Sequence, residues 1–307
     1  MKWKKQGRIY VPDGSKSWAR WYAFPPTPYF ISDDVLRIYI GCCDEHMVGR
    51  AGFVDVSAAN PSEILQVSEN PVLDIGTPGA FDENGLLPTS VLKVDDQIYM
   101  YYVGYQLGMK VRYFQFEGLA YSEDGGNTFK RRLKVPVIDR SDTELLNRTS
   151  AFIRRRDDGT FEMWYVGGSE WTTVNGKALP MYNIRYLTSP DGIAWGPEGR
   201  VCIDLKDDED EHALGRPYVI EHDGLQKMFF ARRTRSKDYR LGYAESKDGL
   251  NWVRKDDEVG IDVSESGWDS EMISYPSVVK YKDRVYLFYN GNNLGETGFG
   301  YAQLEHW

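Results

Sequence analysis

Cysteine and histidine are scarce in this sequence, three and four among 307 residues, and neither is spaced as a structural or catalytic metal site requires. Cys42 and Cys43 are adjacent and poorly placed to bridge one another, and Cys202 stands alone. All three are read as reduced thiols. No stretch approaches the roughly 18 apolar residues of a membrane-spanning helix, and Met1-Lys-Trp-Lys-Lys leads into no apolar run of a signal peptide. The expected address is cytoplasmic. Positive charge is also short: 37 Lys and Arg against 46 Asp and Glu leave −9, so no net field gathers nucleic acid or an anionic membrane. Glycine-rich phosphate loops and the dinucleotide fingerprint are missing, since Gly104 and Gly167-Gly168 follow strands with no helix to open. No cofactor is expected on these grounds.

Aromatic residues (14%) and 30 glycines are abundant instead, a combination that suits short strands and tight turns and predicts an all-β fold. A strand motif then recurs five times: Val35-Leu-Arg-Ile-Tyr39, Gln97-Ile-Tyr-Met-Tyr-Tyr102, Phe161-Glu-Met-Trp-Tyr165, Gln226-Lys-Met-Phe-Phe230 and Arg284-Val-Tyr-Leu-Phe-Tyr289. The spacings between the final aromatics are 63, 63, 65 and 59. Each copy follows a strand opening on small or Pro residues (Pro26, Pro88, Thr149, Pro217, Pro276), with a hairpin turn between, and precedes a third strand. Such a unit cannot bury both faces alone, and five around an axis make a β-propeller. Trp3-Lys-Lys-Gln-Gly-Arg8 matches Trp195-Gly-Pro-Glu-Gly-Arg200, which follows a third strand. The N-terminal segment is therefore expected to serve as the outer strand of the last blade, closing a single domain over 1–307. Ser122-Glu-Asp-Gly-Gly-Asn-Thr-Phe129 is read as a self-capping turn on the outside of a blade.

In a propeller, the segments leading into the inner strands and the loops after the second strands open on one face, around a central funnel. Acids recur in the first set: Asp82, Glu83, Glu144, Glu211, Asp269 and Glu271. His212, Trp21 and Tyr275 stand in the same segments, and Asp44, Tyr105, Glu170, Trp171, Arg232 and Asn290 in the second set. Aromatic faces stack on sugar rings, Asn and Arg hydrogen-bond hydroxyls, and paired carboxyls act as acid and as base or nucleophile. Asp82, Glu83 and Glu271 are the expected catalytic acids; Trp21, Tyr105, Trp171 and Asn290 would line sugar subsites. Arg148, Arg216 and Arg232, with Arg233 and Arg235 nearby, point to a phosphorylated or otherwise anionic carbohydrate. The acidic mouth is also chemically suited to calcium.

The Ser-x-Asp-Gly-x-x-Trp turns, Arg216-Pro217, and Trp268-Asp-Ser-Glu-Met272 followed by Tyr275-Pro276 give the chain a further meaning. It resembles the five-bladed propellers of glycoside hydrolase families 43, 32, 62, 68 and 130, over all five repeats. The resemblance implies cleavage of a glycosidic bond by three acids from the first three blades. Here the first blade opens through Ala23-Phe-Pro-Pro-Thr27 with no acid, while the third offers Asn147-Arg148 with Glu144 slightly earlier. Phosphorolysis or transfer from a phosphorylated donor, which family 130 suggests, and glycan binding without chemistry are the alternatives.

Overall fold

The computed structural model describes residues 1–307. Strands make up the fold; helix is confined to Asn292–Gly295 and two three-residue 3-10 turns. No helix is long and apolar enough to cross a membrane.

Hydrogen bonding gives sheets of four, twelve and four strands rather than five separate sheets. The first repeat runs antiparallel through Trp21–Phe30, Val35–Cys43, Gly49–Ser57 and Ile64–Val67. The twelve-stranded sheet is three antiparallel sets, led by Leu86–Val94, Asn147–Arg155 and Glu211–His222, and joined only by short parallel pairings. These pairings link Asn147 and Arg148 to Gln115 and Phe116, and Ala213 to Tyr182. They form because neighbouring repeats converge where their inner strands begin. The last sheet contains Ser274–Tyr281, Arg284–Asn290 and Phe299–His306, and its outer strand is Lys2–Tyr10, paired antiparallel with Phe299–His306.

Local chemistry sets the hairpins. Asp95, Asp223 and Lys282 take left-handed backbone angles in the turns between first and second strands, as tight hairpins demand. The Ser-x-Asp turns are self-capped: Asp124 Oδ1 accepts from the backbone amides of Asn127 and Thr128 at 3.0 Å, and Asp191 and Asp248 do the same in their repeats. Each turn also docks on the repeat before it. Tyr39 Oη donates to Gly126 O at 2.8 Å, Tyr101 Oη to Gly192 O at 2.7 Å and Trp164 Nε1 to Gly249 O at 2.9 Å. Cores therefore lie between successive repeats, and one of them unites Leu36, Ile38 and Val54 of the first with Tyr286, Phe288 and Phe299 of the last. The five inner strands touch in cyclic order, the fifth meeting the first.

Candidate functional site

Every inner strand is interrupted by a β-bulge or register shift, between Phe24 and Thr27, Pro88 and Ser90, Thr149 and Phe152, Gly215 and Tyr218, and Ser274 and Ser277. In the last three repeats the residue at the bulge is left-handed and not glycine: Ser150 (φ 56°), Arg216 (φ 51°) and Tyr275 (φ 53°). Such backbone costs on the order of 1 kcal/mol per residue and persists where its surroundings impose it. All three residues line one cavity, shared with Phe24, Tyr105 and Tyr182.

The cavity wall is aromatic. Tyr275 stacks on Phe24 (6.2 Å between ring centroids) and packs against Tyr239 (5.8 Å), whose hydroxyl bonds that of Tyr182. Tyr105 packs on Tyr113, and Tyr113 on Trp171. Burial raises the hydroxyl pKa of Tyr182 to about 12 and pushes those of Tyr105, Tyr239 and Tyr275 up as well, so these groups stay protonated as donors. Arg233 lies 5.4 Å over the Tyr239 ring and pairs with Asp238. Arg216 closes the floor. Its guanidinium donates to Pro26 O (3.2 Å), Thr27 Oγ1 (2.9 Å), Ser277 Oγ (3.3 Å) and Pro88 O (3.4 Å), joining four repeats, and burial lowers its pKa to about 10.

Buried polar atoms without a partner include both amide atoms of Asn147, Trp171 Nε1, His212 Nε2, Ser274 Oγ and, in the cavity lining itself, Arg216 Nε; others lie at Asp82, Tyr102, Gln226, Arg232 and Asn290. An unsatisfied buried group costs about 1–3 kcal/mol, so Arg216 Nε in the cavity lining is a donor free for a bound molecule or ordered water.

The acids lie elsewhere. Asp82 is fully buried and accepts from Arg131 Nε and Nη2 at 2.8 and 2.7 Å. Glu144 holds Arg148 (2.6 Å), Arg185 (2.9 Å) and Tyr165, while Asp269 holds Lys5 (2.7 Å) and Tyr289 (3.0 Å). Glu211 holds Arg254 at 2.7 Å and, more loosely, Arg232 at 3.5 Å. One pattern thus repeats four times: an acid just ahead of the inner strand or, for Glu211, at its first residue is buried and neutralised by a base of its own sheet. These four acids are thus spent on ion pairs or hydrogen bonds within their own sheets. A group of carboxylates does meet at Glu209, Glu211 and Asp256, but Lys206, Arg232 and Arg254 fill it with cationic nitrogens.

Of the remaining expected residues, Tyr105, Arg216 and Tyr275 meet in the cavity. Trp21, Glu170 and Glu271 are exposed, Trp171 is half-buried, and Glu83 accepts from the amide of Gly79 in its own turn. Asp44 is tied to Arg50 and to the amides of His46 and Val48. Arg148 is locked to Glu144, and Asn290 donates to Ala23 O and Gly298 O. His212 is buried, which lowers its pKa, and its Nδ1 lies 3.5 Å from Pro180 O. Sequence reasoning missed Phe24, Tyr113, Ser150, Tyr182 and Tyr239; of these, only Phe24 lay within a segment searched for the site.

No model of a known protein family matches the chain. The uncharacterized protein Rv1502 of Mycobacterium tuberculosis H37Rv is 35% identical over 306 residues, covering 100% of both chains, and MT1551 of strain CDC 1551 matches equally. The chain belongs to the Rv1502 family. Its fold is that of the glycoside hydrolase propellers. A putative glycosidase of Bacteroides thetaiotaomicron superposes with TM-score 0.74 at 16% identity, covering 98% of this chain and 96% of that one. A thermostable family-43 glycoside hydrolase gives 0.69 at 19%, with 96% and 90% covered. A structure from the GH130 family of mannoside phosphorylases, described as containing hydrolases of β-1,2 mannosidic linkages, gives 0.73 at 15%, with 98% and 93% covered.

Proposed function

We propose that this protein is a five-bladed, closed propeller of the cytoplasm that recognises a carbohydrate in the tyrosine-lined cavity on its axis. One observation carries the reading: three successive inner strands hold a non-glycine residue in left-handed backbone, and all three residues line that cavity. Tyrosine faces suit the C–H surface of a sugar, their hydroxyls and Ser150 suit its hydroxyl groups, and Arg233 suits an anionic substituent. No carboxylate lines the cavity, which favours recognition over acid–base chemistry at its floor. The N-terminal strand on the last sheet and the contact of first and last inner strands support closure.

A second reading is cleavage of the bound glycan. It is favoured by carboxylates of three repeats outside the buried ion pairs: Glu83, Glu170 and Glu271. Glu83 and Glu271 keep the catalytic assignment in that reading, whereas Asp82 is assigned to the fold.

The test pairs calorimetric binding of oligosaccharides and sugar phosphates with a turnover screen on aryl glycosides, run with and without inorganic phosphate. Binding weakened at least about tenfold by Tyr275→Ala, with Glu271→Gln melting as the parent does, is the expected result. Turnover abolished by Glu83→Gln or Glu271→Gln would put cleavage first, and turnover only with phosphate would make it phosphorolysis. Failure of every saccharide to bind would overturn both readings.

A further inference from the structure

The inner strands line the tyrosine cavity with their earlier residues and a second hollow, of about 310 Å³, with their later ones. Thr27 and Pro28, Ser90 to Lys93, Phe152 to Arg155, and Tyr218 form it. Arg216 separates the two spaces, since its guanidinium grips Thr27 Oγ1 and Ser277 Oγ between them.

Lys93, Arg154 and Arg155 edge the hollow, and no carboxylate lines it. In a chain of net charge −9, three cations around one concavity form a local exception. Arg154 spends one contact on buried Glu162 at 2.6 Å; its other partner, Glu221, and the partner of Arg155, Asp95, are exposed. Exposed pairs of this kind hold little free energy, so an incoming anion displaces them easily. Lys93 is exposed and has no carboxylate partner. The wall between is apolar: Phe152 packs on Tyr218 at 4.6 Å, beside Val91 and Leu92.

We propose that this hollow is a second binding site, for a small organic anion with an aromatic or apolar face. The ring rests on Phe152 and Tyr218, where it leaves water, and the anionic group meets Lys93 and Arg155 in charge-assisted hydrogen bonds. Nothing in this assignment depends on the occupant of the tyrosine cavity.

The test is calorimetric titration of the full chain with phenyl phosphate and, separately, inorganic phosphate. Phenyl phosphate should bind at least about tenfold more tightly than inorganic phosphate, because only it buries a ring. The double variant Lys93→Glu/Arg155→Glu, exposed at both positions, should lose at least about tenfold in affinity with unchanged melting, while Arg233→Gln, on the Tyr239 ring and outside the hollow, should stay within about twofold. No heat with either probe up to about 10 mM would overturn the proposal. So would equal affinity for the two probes, binding that survives the charge reversal, or binding abolished by Arg233→Gln.

Discussion

Two sets of equivalent positions run through the repeats, and they differ in kind. At or just ahead of the start of the inner strands stand Asp82, Glu144, Glu211 and Asp269, one chemistry repeated, each closed by a base of the same sheet. Five to seven residues further along, at the bulges, and at the matching bulge of the first repeat, the type changes with every repeat: Pro25, Thr89, Ser150, Arg216, Tyr275. A residue type that recurs answers a need that recurs, here the anchoring of a lead-in segment to its own sheet. A backbone position that is left-handed in three repeats while its side chain changes from Ser150 to Arg216 to Tyr275 answers a need other than the repeat's own folding, here the lining of one shared cavity. In a repeat protein, internal repetition of an acid is thus an argument for structure, and divergence at the axis an argument for function.

Breaking the first set should have the largest effect. Glu144→Ala leaves Arg148 buried without its counter-charge and should lower the unfolding free energy by about 3–5 kcal/mol in urea titrations; a loss under about 1 kcal/mol would detach the acids from the fold. Next comes Glu117, a buried carboxyl between repeats two and three that bonds Thr89, Thr149 and the amide of Ala151. Burial raises its pKa from 4.5 to about 7. The folded state therefore holds a proton that the unfolded chain releases first, so stability is fullest below pH 4.5 and falls as pH rises to about 7, by roughly 3 kcal/mol. Glu117→Gln should flatten that slope in a pH series of melting curves; an unchanged slope would assign it to other groups. The smallest effect sharpens the second set. Ser150→Gly relieves left-handed backbone and should gain about 1 kcal/mol while weakening saccharide binding. A loss of stability would mean that the hydroxyl, not the ligand, holds the strand there.

The same contrast explains what the sequence could tell. The strands, the turns and the match between Trp3–Arg8 and Trp195–Arg200 were legible because each is a local pattern, and Lys2–Tyr10 does lie on the outer edge of the last sheet. The facing of the acids was not. A bulge shifts the pleat by one residue and sends the following side chains to the other face, so counting back from Pro217 or Pro276 cannot say which way Glu211 or Glu271 points. Arg216 and Tyr275 were reachable because they sit at the bulge itself. Tyr113, Tyr182 and Tyr239 were not, because they join the aromatic cluster from third strands and a short connection through contacts that no local pattern encodes.

The pairing of Lys2–Tyr10 with Phe299–His306 has a consequence in time. During synthesis Lys2–Tyr10 emerges with no partner and must wait until Phe299–His306 has left the ribosome. Completion of the last sheet is thus a non-local step, slow by its loop-closure entropy, and removal of Phe299–His306 would leave Lys2–Tyr10 without the strand it pairs with.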